Sequence, residues 1–416
     1  MRLPAHEATT AQLGAAFPFV ASSPLLPAGI LVGRDLYGGP FVHDPFALYA
    51  AGRLTNPNLL VLGQIGRGKS AFVKTYCYRH AARGRRVVVL DPKGEYGTLA
   101  TALGTTSIAL RPGGRVRLNP LASTGDESPE RRLALLASLA TTGLERPLGP
   151  VEHGALEIAL GAAATCARGV PTIPDVVEAL LVPQPGAGRA LGMADDVLRA
   201  ETRELALGVR RLVRGELEGM FDGAGEHAAR LDSDVVVLDL SALFRSRALP
   251  ALVACAVAAL EPGWRAAARR GVQSLLVVDE AWAVLDDLGV ARFLQSSWKL
   301  ARANGVANIA VVHRVSDLAA AGAKGSVAAQ VAEGLVADSE TVVCYAQPTA
   351  EASAAAQVLG LSTRETELLP QLPRGVALWR VGTRSHLVAH RLSPGERRLV
   401  DTDAALTPVG APGAGS

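Results

Sequence analysis

Lysine is scarce in this chain of 416 residues. It occurs at five positions, 69, 74, 93, 299 and 324, and arginine supplies all the other basic residues. Aromatic residues make up 4% of the chain and apolar residues 49%, so the core must be built largely from Leu, Val and Ala. An apolar fraction of this size excludes a disordered chain. The formal net charge of +3 is too small to indicate a nucleic-acid-binding protein by itself.

Cysteine pairs and long apolar runs are also missing. The cysteines lie far apart, with no C-x-x-C pair, at Cys77, Cys166, Cys255 and Cys344. We expect them to be small buried residues in a reducing compartment. The uncharged apolar run from Ala251 to Leu260 is about half of the roughly 20 residues that a membrane-spanning helix needs, so an integral membrane protein is not expected. Prolines interrupt residues 8–32, which indicates an irregular arm rather than a signal peptide.

One motif stands out, a complete G-x-x-x-x-G-K-S at residues 63–70. It follows the apolar run 59–62 and opens a helical segment that ends near Gly84, which is the strand, loop and helix order of a phosphate-binding loop. Lys69 is predicted to reach the β- and γ-phosphates of ATP, and the Ser70 hydroxyl to bind Mg²⁺. The predicted cofactor-binding residues are Gly63, Gln64, Ile65, Gly66, Arg67, Gly68, Lys69, Ser70 and Ala71.

The pattern of apolar runs predicts an α/β protein with a mostly parallel central sheet. A β-α-β unit spans 59–90, and further apolar runs at 235–238, 275–278, 309–312 and 341–343 predict buried strands. Between 129 and 230 the strand signals vanish and helical spacing prevails, whereas 376–381 and 386–391 read as a hairpin. The predicted domains are an arm with a small β element (1–57), a core (58–128 and 231–403), an inserted all-α subdomain (129–230) and a disordered tail (404–416).

A second part of the chemistry follows the apolar run 275–278, which ends in Asp279 and Glu280. In phosphate-loop ATPases this arrangement is called Walker B. Asp279 is predicted to hold Mg²⁺, and Glu280 to orient and polarise the attacking water. The rival strand end at Asp239 lacks a second carboxylate, so we interpret Asp239 as structural.

The segment Asp91-Pro92-Lys93-Gly94-Glu95-Tyr96 follows the second predicted strand, at the edge where parallel α/β proteins bind ligands. One interpretation is that Glu95 or Lys93 contacts the nucleotide or the attacking water, and Glu95 is therefore a candidate catalytic residue. The other is that Pro92 and Gly94 simply make a turn and the charged side chains are solvated. The residues alone leave both open.

The motifs together resemble the HerA/FtsK superfamily of ring-forming ATPases, and most of all the conjugative type IV secretion (TraC-like) ATPases. The resemblance covers about residues 30 to 403. It rests on the phosphate loop, on the segment 91–96, on Asp279-Glu280 followed by Ala281-Trp282, and on the helical insertion. Further likenesses are Trp298 to Arg302 before strand 306–312, Leu372-Pro373-Arg374-Gly375, Glu396, and Thr402-Asp403.

The resemblance implies a RecA-like core, Mg²⁺-dependent ATP hydrolysis by Lys69 and Glu280, and a homo-oligomeric ring, expected to be a hexamer. It also implies an arginine finger that completes each site from the neighbouring subunit. Arg302 is the first candidate, and Arg314, Arg374 and Arg384 follow it. Where relatives often have Thr-Gln at the end of one core strand, this chain has Val312-His313-Arg314, so His313 is expected to replace the usual γ-phosphate sensor by hydrogen bonding.

Relatives of this kind usually carry a large N-terminal domain, whereas about 58 residues precede the first core strand here. The resemblance therefore implies a motor domain alone, in the cytoplasm at the inner face of the membrane, with a membrane-associated secretion component that supplies the missing part. Its expected function is to power substrate transfer or pilus assembly. The alternatives are a DNA translocase or coupling ATPase, with DNA as transported substrate, and a nucleotide-gated scaffold with little hydrolysis.

Overall fold

The computed structural model describes residues 29–122, 129–167, 170–223, 231–285, 287–314 and 334–400. The first 28 residues of the predicted arm, the predicted tail 404–416, and Thr402-Asp403 lie outside the described residues. The division of the chain into domains stays a prediction.

The strands of the described residues form one eleven-stranded sheet, ordered β2-β1-β11-β10-β9-β3-β8-β7-β4-β6-β5. The strands in chain order are β1 (Ile30–Asp35), β2 (Pro40–His43), β3 (Leu59–Leu62), β4 (Arg86–Asp91), β5 (Ile108–Ala109), β6 (Val235–Asp239), β7 (Ser274–Val278), β8 (Val306–Val312), β9 (Thr341–Cys344), β10 (Val376–Val381) and β11 (Arg384–His390).

In the sheet, the neighbouring strands β9-β3-β8-β7-β4-β6-β5 all run parallel to one another, and β3 lies between β8 and β9. Every residue of β3, β4, β7 and β8 is buried, because helices cover both faces. Successive side chains alternate between the two cores: Leu60 and Leu62 join one, Leu59 and Val61 the other. The predicted α/β class with a mostly parallel sheet is confirmed.

The predicted C-terminal hairpin is also confirmed, since β10 and β11 pair antiparallel. β10 continues the sheet beyond β9, and β11 then pairs antiparallel with β1. The strands near the N-terminus are therefore part of the same sheet as the phosphate loop rather than a separate layer.

The helices in chain order are α1 (Pro45–Ala50), α2 (Lys69–Ala81), α3 (Gly97–Ala102), α4 (Pro129–Leu144), α5 (Pro150–Cys166), α6 (Ile173–Leu181), α7 (Ala187–Ala190), α8 (Asp195–Val213), α9 (Leu249–Arg269), α10 (Trp282–Leu285), α11 (Leu288–Ala301), α12 (Thr349–Leu359), α13 (Thr363–Leu368) and α14 (Arg397–Val400). The described residues from 129 to 223 contain helices and turns but no strand. Helix α4 packs against both α8 and α11, so the helical segment lies against the core.

Helix α9 is, within the described residues, long and apolar enough to cross a membrane by length and composition alone. Of its apolar window, 72% is buried inside the protein, where it packs on β4 and β7. Its one internal acid, Glu261, is buried and forms an ion pair with Arg131. These contacts are those of a core helix.

Three cysteines are buried, as expected, but Cys166 is exposed. The prediction for Cys166 was wrong because the residue is the last of α5, where the helix leaves the core. Spacing along the sequence does not reveal such an end.

The ion pair between Arg79 of α2 and Glu396 ties the last described turn to the phosphate-loop helix. Arg79 donates to both carboxylate oxygens of Glu396, at 2.6 and 2.8 Å, and the Ser393 N–H donates to the second oxygen. Burial alone would raise the pKa of Glu396, but these donors outweigh it and lower the pKa to about 2. The ordinary value is near 4.5, so the carboxylate stabilises the fold above that pH, and the contribution is lost as pH falls toward 2.

We therefore expect Glu396→Gln to lower the free energy of unfolding at pH 7 by about 1.5–3 kcal/mol, the usual contribution of hydrogen bonds to a charged group. The difference from the wild type should shrink as pH falls below 4.5. Unfolding midpoints measured from pH 7 to pH 3 check this, with the exposed Glu157→Gln as control. A difference that stays constant over this range would contradict the role of the ionised carboxylate.

Candidate functional site: the phosphate loop and the acidic strand end

The backbone of the loop between β3 and α2 requires glycine. Gly63, Gly66 and Gly68 have φ values of 148°, 76° and 113°. A Cβ on Gly63 would lie 2.4 Å from the Cβ of Tyr345, so any side chain at position 63 would clash with Tyr345. Glycine thus permits a left-handed turn and a close approach of two backbones at the point where α2 begins.

Lys69 and Ser70 are the first two residues of α2. Lys69 is 5% exposed, and its Nζ donates to the carbonyl oxygens of Gly63 and, at 3.2 Å, Gln64. The side chain therefore folds back over the loop, beside the N-terminus of α2. A cation, a helix N-terminus and a glycine-rich backbone in one place fit the phosphates of a nucleotide.

Two other segments close on this loop. The Gln64 N–H donates to the Ala346 carbonyl after β9 at 2.9 Å, and the Gly375 N–H donates to the Arg67 carbonyl at 2.9 Å. The stretch 372–375 was part of the resemblance, but the segment after β9 was missed. The sheet order explains why the segment after β9 lies at the phosphate loop, because β9 is the parallel neighbour of β3.

Asp279 and Glu280 follow β7 at the same carboxyl edge as the phosphate loop, with only β8 between β7 and β3. Asp279 is 6% exposed. Burial first, and the neighbouring Glu280 charge second, raise its pKa to about 6. A buried carboxylate whose charge is destabilised in this way fits a divalent cation, and together with the Ser70 hydroxyl it offers the oxygen ligands that Mg²⁺ prefers.

Glu280 has a positive φ of 52°, which is uncommon for a residue other than glycine and is typical of functional sites. Three side chains donate to its carboxylate: His313 Nε2 to Oε1 at 2.8 Å, Lys93 to Oε1, and Trp282 Nε1 to Oε2. Burial would raise the pKa of Glu280, but these donors lower it to about 2. His313, at the end of β8, thus makes a hydrogen bond to the acidic pair.

The loop after β4 is organised by the Asp91 carboxylate. Its two oxygens accept from the N–H groups of Gly94 and Tyr96, both at 2.8 Å. The segment is therefore a tight turn, as one of the two interpretations required. Lys93 points to Glu280, a contact that neither interpretation included. A role of Glu95 toward nucleotide stays a prediction.

Lys74 is a buried residue that sequence reasoning missed. It lies one helical turn and a half beyond Lys69 in α2, is 1% exposed, and its Nζ lies 5.4 Å from the centre of the Tyr96 ring. Burial lowers its pKa, and the charges of Glu95, Asp91 and Asp279 oppose the shift. The scarcity of lysine in the chain was the available signal.

The four candidate arginines fall on two edges of the sheet. Arg302 precedes β8, and Arg384 begins β11 beyond the hairpin turn, so both are exposed at the edge opposite the phosphate loop. The Arg302 Nη1 donates to the Thr55 carbonyl at 3.0 Å. Arg314 follows β8, and Arg374 precedes the Gly375 that contacts the loop, so these two lie at the edge of their own site. Arg302 and Arg384 can reach a phosphate loop only in a neighbouring subunit.

A cavity of about 740 Å³ lies away from this site. It is lined by α4, by the end of α9 and by α11, near the starts of β7 and β8. Its place at the opposite edge of the sheet separates it from the phosphate loop.

The fold and this site define the class: the chain has a RecA-like P-loop fold with the arrangement of a nucleotide-binding site. Residues 48–128 match the family model described as Helicase HerA, central domain. Over 305 residues the chain is 26% identical to Protein TraC of Escherichia coli (strain K12), a match that covers 72% of this chain and 34% of TraC. The chain thus spans about a third of the length of this curated relative.

Solved structures show the same fold. The solved structure of VirB4 of Thermoanaerobacter pseudethanolicus aligns with a TM-score of 0.71 and 24% identity, covering 90% of this chain and 100% of the solved VirB4 chain. The conjugative coupling protein TrwBdeltaN70 aligns with a TM-score of 0.55 and 16% identity, covering 88% and 89%. TrwB in complex with ADP and Mg²⁺ also has a TM-score of 0.55 at 16% identity, covering 81% and 85%. The resemblance to TraC-like conjugative ATPases of the HerA/FtsK superfamily is confirmed.

Proposed function

We propose that this chain is the ATP-hydrolysing motor of a conjugative type IV secretion system and powers substrate transfer or pilus assembly. The observation that carries the proposal is the meeting of the phosphate loop and the Asp279-Glu280 strand end at one edge of a parallel sheet. A single strand separates β3 from β7, which sets the two strands about 10 Å apart. That spacing suits a triphosphate and its metal between them.

In this proposal Lys69 and the N–H groups of the loop bind the β- and γ-phosphates of ATP. Ser70 and Asp279 hold the Mg²⁺, which supplies charge neutralisation at the phosphates when bound. Glu280 orients the attacking water and accepts its proton. TrwB has been solved in complex with ADP and Mg²⁺ and with an ATP analogue, which supports the same cofactors here.

The motor is proposed to work as a homo-oligomeric ring, a hexamer, with Arg302 of one subunit at the phosphate loop of the next. The position of Arg302 at the far edge of the sheet supports a role in trans, since it is exposed and cannot reach its own loop. The remaining partners are a membrane-associated secretion component and DNA as a transported substrate. The ring is expected in the cytoplasm, peripheral to the inner face of the membrane.

ATP turnover with and without DNA tests this function against its alternatives. We expect Mg²⁺-dependent hydrolysis at the same rate in the absence and presence of single- or double-stranded DNA. Strong stimulation by DNA would instead favour a translocase or coupling ATPase. The structural match to the coupling protein TrwB has a lower TM-score than the match to VirB4, so it does not favour that alternative. ATP binding without turnover would favour a nucleotide-gated scaffold.

A further inference from the structure

The carboxylate of Glu280 is enclosed by donors on both of its oxygens. Lys93 and His313 share Oε1, and Trp282 occupies Oε2. The Glu280 side chain is 3% exposed. A water molecule that attacks a phosphate must give its proton to a free lone pair of this carboxylate within hydrogen-bond reach. The two donors on Oε1 leave that oxygen no acceptor site for such a water, whereas Oε2 keeps one beside Trp282.

Of the two donors on Oε1, Lys93 is the more readily released. Its side chain is 29% exposed, against 21% for His313, and it is a flexible chain rather than a ring. Its Nζ also lies 5.7 Å from the centre of the Phe244 ring, a contact that the ammonium can keep when it leaves Oε1. The turn itself is held by Asp91, so the lysine can move without unfolding the loop.

His313 and Lys93 make different contacts with the carboxylate. Because Nε2 of His313 donates to Oε1, this nitrogen carries a hydrogen and cannot also accept from the Lys93 ammonium 3.4 Å away. The lysine is therefore bound to this cluster through Glu280. The positive φ of Glu280 adds backbone strain of the kind that occurs at active sites and switch regions.

We propose that Lys93 is a positioning residue that holds Glu280 in a resting geometry, and that its departure from Oε1 frees the carboxylate for the attacking water. The inference rests on the proposed ATPase function. Nothing is transferred in the step itself, which exchanges one ion pair for an open lone pair. Any contact that draws the Lys93 side chain away from Oε1, such as that of a neighbouring subunit, then raises the rate of hydrolysis.

The test compares Lys93→Met with Lys299→Met, a control at an exposed lysine of α11. We expect Lys93→Met to raise kcat for MgATP about two- to fivefold, the range for a partly exposed ion pair, with KM unchanged. Lys93→Arg keeps the ion pair and should keep the wild-type rate. An unchanged or lower kcat in Lys93→Met, or a raised KM alone, would overturn the proposal.

A second readout does not need hydrolysis. Trp282 donates to Glu280, so its fluorescence reports the position of the carboxylate, and subtracting the spectrum of Trp282→Phe isolates it from the other three tryptophans. We expect this emission to change in Lys93→Met but not in Lys299→Met or Lys93→Arg. An identical Trp282 emission in all variants would refute the proposal that Lys93 holds Glu280 in place. If the wild type itself lacked turnover, the proposed function would fail, while this emission would still decide the inference.

Discussion

Glu280→Gln is expected to bind MgATP as the wild type does but to hydrolyse it about two to four orders of magnitude more slowly. The amide keeps the size of the side chain and one oxygen acceptor, but it loses the negative charge that polarises the water and accepts its proton. Binding by calorimetry and turnover by phosphate release, measured on the same preparation, separate the two effects.

The matched control is Asp239→Asn, which neutralises the acid at the end of strand β6, separated from β7 by β4. Asp239 accepts from the Ser241 N–H at 3.0 Å, a local contact within a turn. Its variant should hydrolyse ATP at the wild-type rate. Normal turnover in Glu280→Gln would show that another group activates the water.

Lys69→Ala is expected to abolish measurable ATPase activity and to weaken MgATP binding, with turnover lost by about two to three orders of magnitude. The ammonium is the only side-chain cation that the structure places on the loop carbonyls of Gly63 and Gln64, within the described residues. Its loss removes the ammonium from the loop and leaves the backbone N–H groups and the Mg²⁺ to hold the phosphates. Turnover and ATP affinity are the measurements.

Lys299→Ala provides the control for this prediction, because it removes an exposed lysine from α11 and should change neither quantity. Circular dichroism establishes that Lys69→Ala is folded before its activity is compared. Hydrolysis by this variant at the wild-type rate would mean that ATP binds elsewhere on the chain.

Much of the fold follows from local patterns in the chain. The runs 59–62, 87–90 and 275–278 lack polar residues, which is why they were recognised as buried parallel strands. The pairing of β1 with β11 could not be predicted in this way, because it joins residues 33–35 to 388–390. Nothing in either short strand specifies a partner so far along the chain.

The site residues likewise divide into those that the sequence predicts and those that it does not. The phosphate loop and the acidic strand end are contiguous motifs, so their residues could be named beforehand. The contact of Lys93 with Glu280 joins two turns that the sheet order brings together, and the burial of Lys74 depends on how α2 packs against the 91–96 turn. Such contacts depend on tertiary packing, which spacing along the chain does not encode.

The central claim is that one Mg²⁺-dependent ATP site lies between the phosphate loop and Asp279. Titration calorimetry of ATP into the folded chain, with Mg²⁺ and with the metal chelated, tests it most directly. We predict saturable binding of one ATP per chain in the presence of Mg²⁺, weaker binding without the metal, and loss of the metal dependence in Asp279→Asn. Binding that is absent, or that is the same with and without Mg²⁺, would contradict it.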